Sequence, residues 1–171
     1  NKSFFSPSSN TKIVGNISYA DENTINDALK VSKKYQKKWS SVGIDEKIKI
    51  IKNFALLLEN NKEDLLKICV NEAGKTINDS YNDLREAIDF CYYYSSEAKK
   101  ILNKEIIFDG PTGEKNKLIY ESKGVIFCIS PWNFPIAIFV GQIVAALLCG
   151  NTVIAKPAEQ TSIISYKIIK L

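Results

Sequence analysis

The last third of the sequence alternates apolar strands with helices, and this pattern constrains the fold more than any other feature. "GVIFCIS" (124–130) and "NTVIAK" (151–156) have the short, β-branched character of buried strands, and an apolar helix is expected between them over 135–149. A further helix is expected to begin near residue 161. Strand, helix and strand at this spacing predict a βαβ unit, so a parallel α/β sheet is expected to start here.

Three amphipathic helices are predicted upstream, after an opening segment (1–20) that we interpret as loop and short extended pieces. Asp21 is suited to cap a helix over about 23–39, and Asp45 is suited to cap the helix that includes "EKIKIIKNFALLLENN". A third helix is expected in "KEDLLKICVNEAGK". Gly74 is a suitable stop for it, because glycine adopts a left-handed backbone without strain.

A fourth helix, over about 76–102, has the clearest periodicity in the sequence. Apolar and small residues recur at alternating steps of four and three, which places them along one side of a helix. We interpret this seam as core packing rather than as a ligand site. Its members are Ile77, Tyr81, Leu84, Ile88, Cys91, Ser95, Ala98 and Leu102.

Beyond this helix the periodicity changes to that of strands. "EIIF" and "KLIYES" are separated by the turn-rich "DGPTGEKN", which predicts a two-stranded hairpin. The predicted organisation is therefore a helical part (1–103), a hairpin (104–123) and the start of the parallel sheet (124–171).

The composition excludes several kinds of chemistry. The 171 residues include no histidine, so His-based metal sites and Ser–His or Cys–His nucleophilic pairs are excluded within the chain, and no metal site is predicted. The net charge of +4 comes mostly from lysines on helical segments. We interpret it as a solvated helix surface rather than a nucleic-acid interface. Buried free thiols in a reducing cytoplasm are expected for four cysteines without C-x-x-C spacing, Cys69, Cys91, Cys128 and Cys149.

Two further features bear on the setting of the chain. The longest apolar stretch (134–149) contains Gln142 and is too short to cross a membrane, so a buried helix is expected there. No secretory signal pattern is visible at the start. Because the sequence has no methionine, we expect it to be a piece of a larger protein.

The segment "SPWNFP" (130–135) places a polar residue between the first buried strand and its helix. Prolines four residues apart favour extended backbone before each of them, and Pro135 suits the first turn of the helix. Asn133 would then lie just outside a helix N-terminus, where the dipole favours negative charge. Its amide could donate a hydrogen bond to a developing oxyanion, or it could merely close the turn.

A second polar turn, "KPAEQT" (156–161), follows the second buried strand. Lys156 and Glu159 are expected to lie at the carboxyl end of the sheet, and Thr161 is suited to cap the next helix. A lysine and a glutamate could bind the two hydroxyls of a ribose, because a diol both donates and accepts hydrogen bonds. A carboxylate there would repel a 2′-phosphate, which favours NAD over NADP. A simple surface ion pair is the alternative.

Taken together, "SPWNFP" and "GNTVIAKPAEQT" (150–161) resemble the aldehyde dehydrogenase superfamily, and "NEAGKT" and "REAIDF" upstream fit its N-terminal helices. Within the superfamily they are most similar to the L-glutamate γ-semialdehyde (pyrroline-5-carboxylate) dehydrogenase module of proline utilisation A. The resemblance covers nearly all of the chain. It implies an α/β fold with N-terminal helices, a β-hairpin and the first βαβ unit of a Rossmann-like sheet.

The resemblance also implies roles for particular residues. Asn133 matches the asparagine that stabilises the oxyanion. On the substrate side, Glu86 and Phe134 match a carboxylate and an aromatic residue beside the aldehyde pocket. Cofactor contacts are implied for Ile129, Ser130, Pro131 and Trp132 near the nicotinamide and for Lys156 and Glu159 at the adenosine ribose.

The implied activity is NAD-dependent oxidation of L-glutamate γ-semialdehyde to glutamate, in a cytoplasmic homo-oligomer that associates through the hairpin. The family's catalytic cysteine and general-base glutamate match positions beyond Leu171. Cys128 lies in a buried strand with no base beside it, so it is not expected to be the nucleophile.

Two other interpretations stay open. The chain could be an inactive remnant or fragment that at most associates with partners through its hairpin and apolar surfaces. It could also be a helical interaction module, in which case the two motifs would match by accident.

Overall fold

The computed structural model describes residues 2–171 and places them in helices, two hairpins and one parallel strand pair. The strands are β1 (Lys2–Ser6), β2 (Ser9–Ile17), β3 (Ile106–Asp109), β4 (Lys115–Leu118), β5 (Val125–Ile129) and β6 (Thr152–Lys156). The helices are α1 (Glu22–Ser40), α2 (Ile44–Asn60), α3 (Lys62–Ala73), α4 (Ile77–Leu102), α5 (Ala137–Leu148) and α6 (Ser162–Ile169), with a 3-10 turn at Glu159–Thr161.

The opening segment is more regular than predicted. β1 and β2 form an antiparallel hairpin with Lys2 opposite Ile17, and two irregularities in the register accompany its bend. The hairpin packs on α3 and α6. The main chain of Gly15 comes close to α6, since a Cβ atom there would lie 2.8 Å from Cδ1 of Ile163. Packing against these helices stabilises strands that the sequence pattern marks only weakly.

The ends of the first three helices agree with the sequence except at one cap. Asp21 caps α1 by accepting a hydrogen bond from the Thr24 amide at 2.8 Å, and Gly74 ends α3 with φ 67°. The prediction for Asp45 was wrong, because Gly43 is the N-cap of α2. Asp45 lies inside the first turn, where a carboxylate still interacts favourably with the helix dipole.

The core lies between α2, α3, α4, α5 and α6, with α4 at its centre. The predicted seam of α4 is buried or partly buried from Leu84 onward, but Ile77 and Tyr81 are exposed, which corrects the start of the seam. Ser80 and Asp83 take the inward positions there, because this end of α4 makes polar contacts with the N-terminus of α5. The fully buried apolar members of the core include Ala55, Leu58, Leu65, Cys69, Ala87, Cys91, Ile136 and Ile164.

The predicted βαβ unit is present, and the expected fold class is confirmed. β5 and β6 pair in parallel from Val125 opposite Thr152 to Ile129 opposite Lys156, and both α1 and α5 pack on this pair. α5 begins at Ala137, so Pro135 precedes the helix instead of lying in its first turn. Within residues 2–171, no helix has the length and apolar character needed to cross a membrane.

A β3–β4 hairpin is present, but its second strand lies at Lys115–Leu118, earlier than the predicted 117–122, because Asp109 pairs with Lys115 and the turn is shorter than expected. All eight of its strand residues are exposed. Three of the four free cysteines are buried, whereas Cys149 is exposed, contrary to expectation, because it caps the carboxyl end of α5 at the surface.

Candidate functional site

The two polar turns meet at the carboxyl end of the parallel strand pair. Ile129, the last residue of β5, lies opposite Lys156, the last residue of β6. The Ser130 amide donates to the Lys156 carbonyl at 3.2 Å, which extends the ladder by one bond. The segment that carries Asn133 therefore starts beside the segment that carries Glu159, at the edge where ligands of parallel α/β sheets bind.

The main chain of Asn133 is anchored, and its side chain is left free. The Asn133 carbonyl oxygen accepts a hydrogen bond from Nζ of Lys75 at 3.0 Å. The residue is exposed, and within residues 2–171 its carboxamide makes no hydrogen bond. The turn is thus held through the backbone, and the carboxamide does not close it.

Lys75 connects this turn to α4. Its Nζ lies 3.3 Å from Oδ2 of Asp83 and 4.6 Å from the centre of the Phe134 ring, in a cation–π contact. The Asp83 side chain is fully buried and that of Lys75 is 13% exposed. A buried ion pair of this kind fixes geometry, since each charge depends on its partner for solvation.

Asp83 also caps α5. Its carboxylate accepts from the Ala137 amide at 2.8 Å and from the Ile136 amide at 3.4 Å. Burial raises the pKa of Asp83, while the Ala137 amide and Lys75 act in the opposite direction. The helix N-terminus therefore binds a carboxylate of its own chain.

The surface next to Asn133 is mostly apolar. Pro131 and Trp132 are exposed, Phe134 is 41% exposed, and Ser130 is buried against the strand ends. The Ile129 carbonyl accepts from Nε2 of Gln142 at 3.2 Å, which ties the end of β5 to α5. Exposed apolar side chains therefore flank the Asn133 carboxamide.

Lys156 and Glu159 are both exposed and do not pair with each other in the described part of the chain. Nζ of Lys156 donates to the Pro157 carbonyl at 3.1 Å. The surface ion pair considered from the sequence is thus absent within residues 2–171. One donor and one acceptor face solvent on the same turn.

Thr161 occupies the predicted N-cap position of α6, but its side chain makes no capping hydrogen bond in the described residues. Its hydroxyl is buried without a hydrogen-bond partner in the described residues, and Glu72 of α3 takes the capping role. The Glu72 carboxylate accepts from the amides of Ile163 at 2.7 Å and Ile164 at 2.8 Å. Glu86, in contrast, is exposed on α4, three residues after Asp83, and makes no hydrogen bond to either turn.

The sequence analysis missed Glu72, Lys75 and Asp83. A signal existed for Asp83, because it is a carboxylate on the inward side of an amphipathic helix, where a charge needs a partner. Glu72 gives a similar signal, because it follows Leu65 and Cys69 at steps of four and three on the buried side of α3. The partners of Glu72 and Lys75 have no signal in the pattern. Their acceptors and donors include main-chain groups 58 to 92 residues away.

Cys128 is not suited to nucleophilic chemistry in this arrangement. It is buried in β5, and burial raises the pKa of its thiol, which disfavours the thiolate. Within residues 2–171 no group of three or more cysteine, aspartate or glutamate side chains could hold a metal ion.

Comparison with known proteins gives consistent results. Residues 2–171 match the aldehyde dehydrogenase family. The chain is 38% identical over 159 residues to the bifunctional protein PutA of Salmonella typhimurium, covering 93% of the chain and 11% of that protein. It is 35% identical over 165 residues to 1-pyrroline-5-carboxylate dehydrogenase of Geobacillus sp., covering 96% of the chain and 32% of the enzyme.

A solved structure agrees in fold. The crystal structure of 1-pyrroline-5-carboxylate dehydrogenase from Thermus with bound NAD superposes with a TM-score of 0.92 at 34% identity, over 98% of this chain and 33% of that one. The chain thus spans about a third of the length of these dehydrogenases or less. Since the family match extends over all but the first residue, this chain belongs to the aldehyde dehydrogenase family.

Proposed function

We propose that the protein serves NAD-dependent oxidation of L-glutamate γ-semialdehyde to glutamate in proline catabolism. The observation that carries the proposal is the Asn133 carboxamide, free of partners within residues 2–171 and held by its own carbonyl beside the end of β6. The names of the similar proteins, 1-pyrroline-5-carboxylate dehydrogenase and PutA, support this substrate. The free cysteines suit a reducing compartment such as the cytoplasm.

Asn133 acts as the hydrogen-bond donor to the oxygen of the aldehyde as that oxygen becomes negative. A donor contributes most when it is oriented before the reaction and makes no competing hydrogen bond. Lys75 anchors the main chain of this residue and leaves its side-chain NH₂ available. Removing one such donor lowers turnover by about 10²–10³-fold in other enzymes.

The turn that carries Lys156 and Glu159 has polar groups that suit the ribose of a nicotinamide dinucleotide. Lys156 presents an exposed ammonium and Glu159 an exposed carboxylate, so one ribose hydroxyl accepts and another donates. The segment Ile129–Trp132 would lie along the nicotinamide and its ribose. Asp83 already binds the amides of Ile136 and Ala137 at the N-terminus of α5, so we do not assign the diphosphate to this helix end. NAD, when bound, supplies the acceptor for the hydride that leaves the aldehyde carbon.

The substrate side of the site is assigned to Phe134 and Glu86. Phe134 is partly exposed and its ring is fixed from one side by Lys75, so it offers an apolar face to the aldehyde chain. Glu86 lies on the exposed side of α4 after Asp83 and would face the polar end of the substrate.

A second function is favoured by a different observation. Phe127 and Ile129 on β5 are 58% and 57% exposed, which is unusual for a strand of a parallel sheet. This surface would suit a chain that only associates with a partner and has no catalytic role. The two functions differ in whether the chain supports NAD-linked turnover.

The test is an enzyme in which residues 1–171 replace the matching segment of the Geobacillus dehydrogenase. We expect NADH formation with pyrroline-5-carboxylate, and no NADH formation by residues 1–171 alone. Lys156→Ala and Glu159→Ala should each raise the KM for NAD with little change in kcat. A folded hybrid that binds no NAD and gives no NADH would favour the association role.

A further inference from the structure

We infer that the corner between α3 and α4, residues 72–83, is a positioning unit. It holds the segment 130–135, here called the Asn133 turn, and the segment 156–161, here called the Glu159 turn, at a fixed spacing. This inference rests on the proposed function for its catalytic meaning. The contacts that support it are properties of the chain alone.

The corner is short and closed at both helix ends. Gly74 ends α3 in the left-handed conformation, and Thr76 caps α4 by accepting from the Asp79 amide at 3.1 Å. The Asp79 carboxylate accepts in turn from the Thr76 hydroxyl at 2.7 Å. A Cβ atom on Gly74 would lie 3.0 Å from Cγ of Pro7, so the β1–β2 hairpin also packs against this point. Few backbone torsions are left free between the two helices.

One end of the corner holds the Asn133 turn. Lys75 binds the Asn133 carbonyl, and Asp83 binds the amides of Ile136 and Ala137 on the other side of Pro135. The segment between these anchor points is thereby fixed at both ends. Lys75 is already engaged with Asp83, the Asn133 carbonyl and the Phe134 ring. It therefore acts by positioning its neighbours and not by contacting a ligand.

The other end of the corner holds the Glu159 turn. Glu72 binds the amides of Ile163 and Ile164, two and three residues after the 3-10 turn that carries Glu159. Glu72 and Lys75 are three residues apart along the chain. A shift of the corner would therefore move both turns together.

The first test uses NMR on the 171-residue chain. In Lys75→Met we expect the order parameter of the Asn133 backbone amide to fall from about 0.85 to below about 0.6, because the carbonyl loses its anchor. Lys75→Arg should retain the rigid value, since it keeps a charged donor. Lys99→Met is the matched control, because Lys99 is an exposed lysine paired with Asp45. An unchanged Asn133, or a loss of order spread over the whole chain, would overturn the inference.

The second test asks whether the same corner holds both turns. Gly74→Ala strains a backbone at φ 67° and crowds Pro7, so both turns should loosen. We expect lower order at Asn133 together with faster hydrogen exchange at the Ile163 amide. Glu72→Gln should speed exchange at Ile163 and leave Asn133 unchanged. If Gly74→Ala affects one turn and leaves the other as in the wild type, the two turns are not held in common.

The kinetic test uses the hybrid enzyme. Lys75→Met should lower kcat by about 10²-fold, since small misplacements of reacting groups have effects of that size, and should leave the KM for NAD within about twofold. Lys75→Arg should restore most of kcat. An active hybrid that is indifferent to Lys75→Met would overturn the positioning role. Loosened turns in a hybrid without turnover would refute the proposed function alone.

Discussion

At the residue scale, three charged side chains organise the site, namely Glu72, Lys75 and Asp83. Asp83 is the clearest example. Its side chain has no exposed surface, and it joins Lys75 to the start of α5. A buried carboxylate without partners would be strongly unfavourable, so its retention in the seam of α4 is explained by these contacts.

The substitution Asp83→Asn measures what this carboxylate contributes. It leaves the Lys75 charge without its partner, and we expect the free energy of unfolding to fall by about 3 kcal/mol, as for other broken buried pairs. Asp89→Asn, on the same helix, removes an exposed pair with Arg85 and should change the value by less than about 0.5 kcal/mol. Urea denaturation of both variants provides the comparison. Equal effects would mean that Asp83 is no more important than a surface charge.

Single residues were predictable where they belong to a sequence motif. The positions of Asn133, Lys156 and Glu159 after the two strands followed from the βαβ pattern. The contact of Lys75 with Asn133 and those of Glu72 with α6 were not predictable, because these partners are main-chain groups of distant segments. A main-chain partner leaves no complementary side chain in the sequence.

At the element scale, α3 is connected to α6 through a titratable group. Burial raises the pKa of Glu72 from 4.5 to about 7, although the amides of Ile163 and Ile164 act in the opposite direction. Between these values the folded chain holds a proton that the unfolded chain has released. Stability from this group is therefore complete below about pH 4.5 and is lost as the pH rises through 7.

Glu72→Gln should remove this pH dependence. Between pH 4.5 and pH 7.5, the wild type should lose about 3 kcal/mol of unfolding free energy relative to the variant. The wild type is therefore expected to become less stable at high pH. Asp83, which is also buried, is present in both proteins and its contribution cancels. Urea titrations across this range test the expectation. A constant difference would show that the ionisation of Glu72 is not coupled to folding.

The types of most elements were predictable, whereas some boundaries were not. The pattern of α4 gave its extent, but polar contacts with α5 displaced its buried side at the first turn. The β1–β2 hairpin was missed because its strands alternate weakly and are stabilised by packing on α3 and α6. The start of α5 depended on a cap supplied by another helix, which no local rule contains.

At the scale of the whole molecule, the β3–β4 hairpin is the element with the least contact to the core. Ile107 and Phe108 are 52% and 55% exposed on it. We propose that this hairpin binds a second subunit in the hybrid enzyme. Introducing Ile107→Lys and Phe108→Lys together should lower the mass of the hybrid enzyme in analytical ultracentrifugation. An unchanged mass would exclude the hairpin as an oligomer contact.

The proposed function depends on the free carboxamide of Asn133, which would stabilise the reacting oxygen at a site shared with the cofactor. The most direct measurement compares Asn133→Ala with the unchanged hybrid enzyme, using kcat for pyrroline-5-carboxylate oxidation and the Kd for NAD. We expect a loss of about 10²–10³-fold in kcat with a Kd changed by less than about twofold. Comparable losses in both quantities, or an unchanged kcat, would contradict it.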